Sequence, residues 1–266
     1  MTVELILIDG QPASLDVLAH QALVNYGAYT SFRVEGGAAR GLDRHLARLE
    51  QSALALFGEA VPEGRLRDLM RMAVRGREAC WLRVSLFSPE IGHRDPTYIG
   101  APRIMTAVFD PPPPLAGSVR LMTLDYEREA PELKHTATFG LMRARRAARA
   151  AGFDDALFVD RAGRISEGSL WNIGFVQGDA VVWPHAAMLA GVTQAILRDG
   201  LEKAGVTQHT RAVTRDDLRT FDGAFLCNSA TPAASVTAID GVTLAELADL
   251  IEHLRGLWAA SPLQPL

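Results

Sequence analysis

Lysine is almost missing from this chain. Of its 27 Lys and Arg residues, only Lys134 and Lys203 are lysines, and the other 25 are arginines. Arginine therefore carries nearly all of the surface solvation and ion pairing. A guanidinium stays protonated in proteins, whereas an amine can lose its proton and attack a carbonyl. Lys203, in "DGLEKAGV", reads as a solvated residue at a polar helix end. Lys134, in "ELKHTATFG", is followed by small, weakly polar and apolar residues and then by a helix, and it is the candidate nucleophile.

Other absences narrow the field further. Only two cysteines occur, Cys80 and Cys227, both in apolar strand-like runs. They exclude a disulfide framework and read as buried thiols of a reducing compartment. Nowhere do 18 apolar residues run together, so no membrane span is expected. The opening "MTVELILIDG" lacks a basic leader and is too short for a signal peptide, which leaves a cytoplasmic location as the expectation. No glycine-rich phosphate loop, Cys-x-x-Cys, metal-spaced histidine pair or Gly-x-Ser-x-Gly elbow is present, so no metal site is expected. A net charge of −4 argues against a general nucleic-acid binder. The one basic helix, "LMRARRAARAAG", sets Arg145 and Arg149 on one face and Leu141, Ala144 and Ala148 on another, with no aromatics interleaved for base stacking.

What is present is an ordinary globular composition, 48% hydrophobic and 22% charged. Four prolines in "FDPPPPLAGS" cannot continue a helix or a central strand. They predict a linker over 111–118 between a small N-terminal α/β domain, 1–110, and a larger C-terminal domain, 119–266. Strands are predicted at "ELILIDG", whose Asp-Gly signals a hairpin, and at "YTSFRVEGG", "CWLRVSLFS", "RIMTAVFD", "SVRLMTLD" and "GAFLCNS". "DALFVDRAGRISEGS" reads as strand, turn, strand, and "WNIGFVQGDAVVWP" as a hairpin. Helices are predicted at "GLDRHLARLEQSALALFG", "GRLRDLMRMAVRG" and near 139–151, 193–204 and 245–257. Strands and helices mixed in both halves give an α/β (α+β) class.

Three pieces in order, Lys134, then "ISEGSLWNIGF", then "AGVTQAI", resemble the fold-type IV pyridoxal-phosphate enzymes. These include branched-chain and D-amino acid aminotransferases, (R)-selective amine transaminases and 4-amino-4-deoxychorismate lyase. The resemblance runs from about residue 25 to 242. It implies a two-domain D-amino acid aminotransferase-like fold with pyridoxal 5′-phosphate in the interdomain cleft, and a homodimer. Lys134 matches the lysine that holds the cofactor and shuttles a proton. Glu167, in "SEGS", matches the carboxylate beside the pyridine nitrogen, where negative charge keeps the ring protonated. Arg48, in "HLARL", Val192 and Thr193, in "GVTQ", and Ser229, in "CNSA", match the phosphate contacts.

The substrate positions depart from the family pattern. In "VNYGAYTSFRV", Tyr29 keeps its place but Tyr26 replaces an acid, and Thr30 replaces a glutamate, as in the lyase branch. Leu86 stands where D-amino acid aminotransferases carry a carboxylate-binding arginine, while Arg83 matches an arginine of the branched-chain enzymes. Phe139 replaces their tyrosine five residues after the lysine. Arg94, in "GHRDP", and Ala230 complete the candidate substrate contacts. The implied activity is transfer of an amino group from an amino acid or amine to a 2-keto acid by ping-pong chemistry. The alternative is aminodeoxychorismate lysis to pyruvate and 4-aminobenzoate.

Overall fold

A computed structural model describes residues 2–115 and 117–266. The chain forms two compact units. The first holds β1 (Val3–Ile8), β2 (Gln11–Pro12), α1 (Leu15–Val24), β3 (Gly27–Glu35), β4 (Ala38–Arg40), α2 (Leu42–Phe57), α3 (Glu63–Val74), β5 (Ala79–Phe87) and β6 (Arg103–Phe109). The second holds β7 (Ser118–Asp125), α4 (Phe139–Ala150), β8 (Asp155–Val159), β9 (Ile165–Gly168), β10 (Asn172–Gln177), β11 (Ala180–Pro184) and α5 (Val192–Lys203). It continues through β12 (Gln208–Arg211), β13 (Gly223–Cys227), β14 (Ala234–Ile239), β15 (Val242–Thr243) and α6 (Ala248–Ala260), while β16 (Leu263–Pro265) belongs to the first unit.

In the first unit one antiparallel sheet runs β16-β4-β3-β5-β6-β1-β2. Asp9 and Gly10, with φ of 51° and 80°, make the turn between β1 and β2 that the Asp-Gly pair predicts. The period of two in β5 sends Leu82, Val84 and Leu86 to one face, where they pack in a core with Leu42, Leu46 and Leu49 of α2 and Leu66 and Met70 of α3. Arg83, on the same strand, alternates to the other face. Leu86, fully buried, thus fills the core.

The second unit carries a nine-stranded mixed sheet, β12-β11-β10-β13-β14-β7-β8-β9, with β15 paired to β14. Its parallel pairs are β11 with β12, β14 with β7 and β7 with β8. Leu141, Ala144 and Ala148 of α4 pack on Ala156 and Phe158 of β8, as the helical spacing predicts. Arg149 is exposed, but Arg145 does more than face solvent, since its Nε lies 3.6 Å from Asp155 Oδ2.

The units do not follow a single cut at the prolines. Their boundary falls between Pro113 and Pro114, and Leu133–Ala137 and Pro262–Leu266 belong with the first unit. Ser118, placed in the expected linker, already belongs to β7, and Ala116 lies outside the described residues. The helix α1 and the short strands β12, β14, β15 and β16 had no counterpart among the sequence expectations. Among the described residues no helix is long and apolar enough to cross a membrane, and no group of His, Cys, Asp and Glu could hold a metal ion.

Candidate functional site

The segment around Lys134 is held by backbone bonds to β3. Tyr29 N–H donates to Lys134 O at 2.9 Å, Thr136 N–H donates to Gly27 O at 2.9 Å, and His135 bridges Ala28. The Thr136 hydroxyl adds bonds to the carbonyls of Asn25 and Gly27. This short strand-like addition fixes the Lys134 backbone while its side chain reaches over Tyr29. Lys134 Nζ lies 5.1 Å from the centroid of the Tyr29 ring. The Arg83 guanidinium carbon lies 3.7 Å from the same centroid, and Arg83 Nε donates to Ser85 Oγ at 3.2 Å. Burial lowers the Arg83 pKa from its ordinary value, and the guanidinium remains a cation at neutral pH.

On the core side of β3 stands Thr30, fully buried, whose hydroxyl lies 2.6 Å from His45 Nδ1 of α2. Tyr29 and Thr30, adjacent in a strand, point to opposite faces. Thr30 was expected among the substrate contacts. The structure instead makes it a brace for His45, because the pleat turns its side chain into the core. His45 is held well below its ordinary pKa of 6.5, first by burial and then by the charges of Arg48 and Lys134. The positive charges that add to the effect of burial also favour an anion, so the first unit fits a phosphate-bearing group. Folded protein keeps His45 neutral, while the unfolded chain gains a proton as pH falls through 6.5. Stability conferred by the neutral ring is therefore complete above that pH and is lost below it, at up to about 1.4 kcal/mol per pH unit. We expect the unfolding free energy of wild type to fall more steeply between pH 7.5 and 5.5 than that of His45→Gln. Equal slopes in urea titrations would contradict the assignment.

Arg94 does not join this cluster. It is exposed in a loop closed by the Gly92–Asp95 bridge. Leu86 faces the core, and Phe139 is 80% exposed as the first residue of α4.

In the second unit Glu167 is buried on β9. Its Oε1 accepts from Leu189 N–H at 3.1 Å and from Arg128 Nη1 at 3.3 Å, and Arg128 is buried as well. Both partners are donors, as an ionised carboxylate requires. The carbonyl of the same Leu189 accepts from Asn172 Nδ2 at 3.0 Å. Asn172 in turn abuts Gly191, where an added Cβ would sit 1.9 Å from Asn172 Oδ1. Gly191 is the N-cap of α5, and Val192, Thr193 and Gln194 are buried in its first turn. First-turn N–H groups lack intrahelical partners and carry the positive end of the helix dipole. Gln194 Nε2 is buried with no hydrogen-bond partner among the described residues. These donors fit an anion such as a phosphate, and the glycine leaves them room. Gly191→Ala should cost about 1–3 kcal/mol by overpacking against Asn172, read as a lowered urea midpoint. An unchanged midpoint would show that the loop adjusts freely.

Ser229 lies half-buried in the turn after β13. Asn228 Oδ1 accepts from the N–H groups of Ala230 and Thr231, and Asn228 Nδ2 donates to Leu170 O at 3.2 Å. That bond ties the Ser229 turn to the turn following Glu167. The Ala230 amide, a candidate substrate contact, is thus already used within its own turn.

Residues 27–239 match the family described as amino-transferase class IV. The chain belongs to the class IV aminotransferase family. Among curated relatives of this chain, the D-alanine aminotransferase of Bacillus licheniformis is 26% identical over 231 residues, 82% of this chain and 80% of that one. The branched-chain-amino-acid aminotransferase of Pseudomonas aeruginosa is 24% identical over 255 residues, 88% and 83% of the two chains. The T.th. branched-chain amino acid aminotransferase, solved with N-(5′-phosphopyridoxyl)-L-glutamate, superposes with a TM-score of 0.84 at 21% identity, covering 97% of this chain and 94% of that one. A candidate 4-amino-4-deoxychorismate lyase from Legionella pneumophila superposes at 0.78 and 20% identity over 91% and 93% of the chains. Both structural likenesses establish the fold of this chain.

Arg128, His45, Asn172, Gln194 and Asn228 escaped the sequence reading. Asn172 stood inside the quoted "ISEGSLWNIGF" and could have been singled out there. Arg128, in "EREAPE", stands among three glutamates in a run that carries no motif.

Proposed function

We propose that this chain is a pyridoxal-phosphate-dependent aminotransferase that moves an amino group from an amino acid to a 2-keto acid by ping-pong kinetics. The setting of Lys134 carries the reading: its amine lies over Tyr29, which Arg83 covers, and its charge adds with that of Arg48 to the burial that keeps His45 neutral. When bound, pyridoxal phosphate supplies a carbonyl that condenses with amines and a protonated ring that accepts electrons from a carbanion. Lys134 Nζ would hold that carbonyl carbon and move the proton at the donor's Cα. Arg48, the N–H groups of Val192 and Thr193, the Thr193 hydroxyl and Ser229 would hold the phosphate. Glu167, oriented by Arg128 and Leu189, would keep the proton on the ring nitrogen.

Arg83 gives the substrate class. A half-buried guanidinium stacked on Tyr29 suits a substrate carboxylate, which favours amino acids over simple amines. Arg94 is too exposed to serve that role on this chain. The reading also includes a homodimer, in keeping with α1, which has no fully buried residue and exposes Leu15 and Leu23. A lyase reading is favoured by one observation, the threonine at position 30 where aminotransferases of the family carry glutamate. The test is to load the protein with pyridoxal phosphate and follow its visible band against L- and D-amino acids and arylamines. Bleaching by an amino acid, reversed by a 2-keto acid, supports the aminotransferase. A band indifferent to every amine, with 4-aminobenzoate formed from aminodeoxychorismate, supports the lyase.

A further inference from the structure

A second buried carboxylate stands beside the turn that follows Glu167. Asp155 opens β8 and is 4% exposed, and none of the roles above uses it. A buried carboxylate is costly unless donors surround it. Asp155 Oδ1 accepts from its neighbour's Ala156 N–H at 2.8 Å and from Ser169 Oγ at 2.7 Å, and Oδ2 accepts from Trp171 Nε1 at 3.0 Å. Arg145 of α4 completes the set at 3.6 Å.

Two of these donors, Ser169 and Trp171, lie in the turn that leaves Glu167. That turn is tight. Gly168 N–H donates to Trp171 O at 2.9 Å, and the Trp171 ring lies so close to Gly168 that an added Cβ would meet it at 2.2 Å. The indole packs flat against the glycine, and the bond from its Nε1 to Asp155 holds it there. Ser169 is pinned by the same carboxylate. Gly168 is the residue directly after Glu167, so the direction in which β9 presents Glu167 depends on this turn. Arg145 extends the linkage to α4, which begins at Phe139, five residues after Lys134.

We propose that Asp155 is a positioning residue that sets the orientation of Glu167 by clamping the Gly168–Trp171 turn. The inference rests on the reading of Glu167 as the partner of the cofactor's ring nitrogen. It separates from ordinary core packing because it acts through one carboxylate. Asp155→Asn keeps the volume but replaces the Oδ1 or Oδ2 acceptor by a donor, leaving the Ala156 N–H or the Trp171 Nε1–H unmatched.

The test is a double-mutant cycle of Asp155→Asn and Glu167→Gln, with pyridoxal 5′-phosphate as the probe. Two quantities are read on the loaded proteins: the cofactor dissociation constant and the pH midpoint of the visible band. Thermal stability is recorded but decides nothing. We expect Asp155→Asn to weaken cofactor binding roughly 10-fold, as loss of an orienting partner does at metal ligands, and to move the midpoint in the direction Glu167→Gln moves it. In the Glu167→Gln background it should add less than about 2-fold, because residues acting as a unit are not additive. Multiplicative effects, or a silent Asp155→Asn beside a responsive Glu167→Gln, overturn this inference alone. A silent Glu167→Gln overturns the reading of Glu167 and this inference with it. Should Asp155→Asn fail to fold, Ser169→Ala and Trp171→Phe each remove one bond to the carboxylate, and the same two quantities decide in the same way.

Discussion

Lys134→Ala should abolish turnover, by on the order of 10³-fold or more, while leaving the fold within about 1 kcal/mol of wild type. The two halves of this expectation come from different atoms. What holds the segment in place is backbone, Tyr29 N–H to Lys134 O and Thr136 N–H to Gly27 O, and the substitution leaves both bonds intact. What does chemistry is the amine over Tyr29, and no other lysine except Lys203 exists in the chain to replace it. Lys203 is exposed at the end of α5, so Lys203→Ala serves as the control and should behave as wild type. Equal turnover in both variants, or loss of folding in Lys134→Ala, would contradict this division of labour.

The second large effect is expected from Arg128→Met. Arg128 and Glu167 are both buried and lie 3.3 Å apart. Deleting the guanidinium strips a cationic donor from a buried carboxylate, and breaking such a pair costs about 3–5 kcal/mol. The neutral Leu189 N–H, which also donates to Glu167, cannot balance its charge. Replacing Glu167 by glutamine in the same chain removes the uncompensated charge and should recover part of that cost. Urea unfolding of the two single variants and the double variant measures the coupling. A double variant as unstable as the sum of the singles would mean that the pair does not interact.

Much of the frame was legible in the sequence because periodicity and turn chemistry are local. The Leu42, Leu46 and Leu49 spacing marks α2, the Asp-Gly pair marks the first hairpin, and the Leu141, Ala144 and Ala148 stripe marks the buried face of α4. The helix α1 was missed because it is apolar on nearly every side and shows no single buried stripe. The return of Leu133–Ala137 to the first unit was invisible for another reason. It depends on backbone pairing with β3 across more than a hundred residues, which no local pattern encodes.

The site divides along the same line. Lys134, Glu167 and the Val192–Thr193 pair could be found because they lie in short motifs of distinctive chemistry. Thr30 lies on the core face of β3, opposite Tyr29, and its bond to His45 joins residues 15 apart that no local pattern pairs. Arg128 and Asp155 were invisible because a buried ion pair and a surface charge look alike in a string of letters. Their partners lie 39 and 14 to 16 residues away.

The scarcity of lysine makes the central claim directly measurable. The protein would be incubated with pyridoxal 5′-phosphate, reduced with borohydride, digested and mapped by mass. The account predicts one phosphopyridoxyl group per chain, carried on the peptide that contains Lys134. The same group on Lys203 or on the chain's amino terminus, or no stable adduct at all, would contradict it.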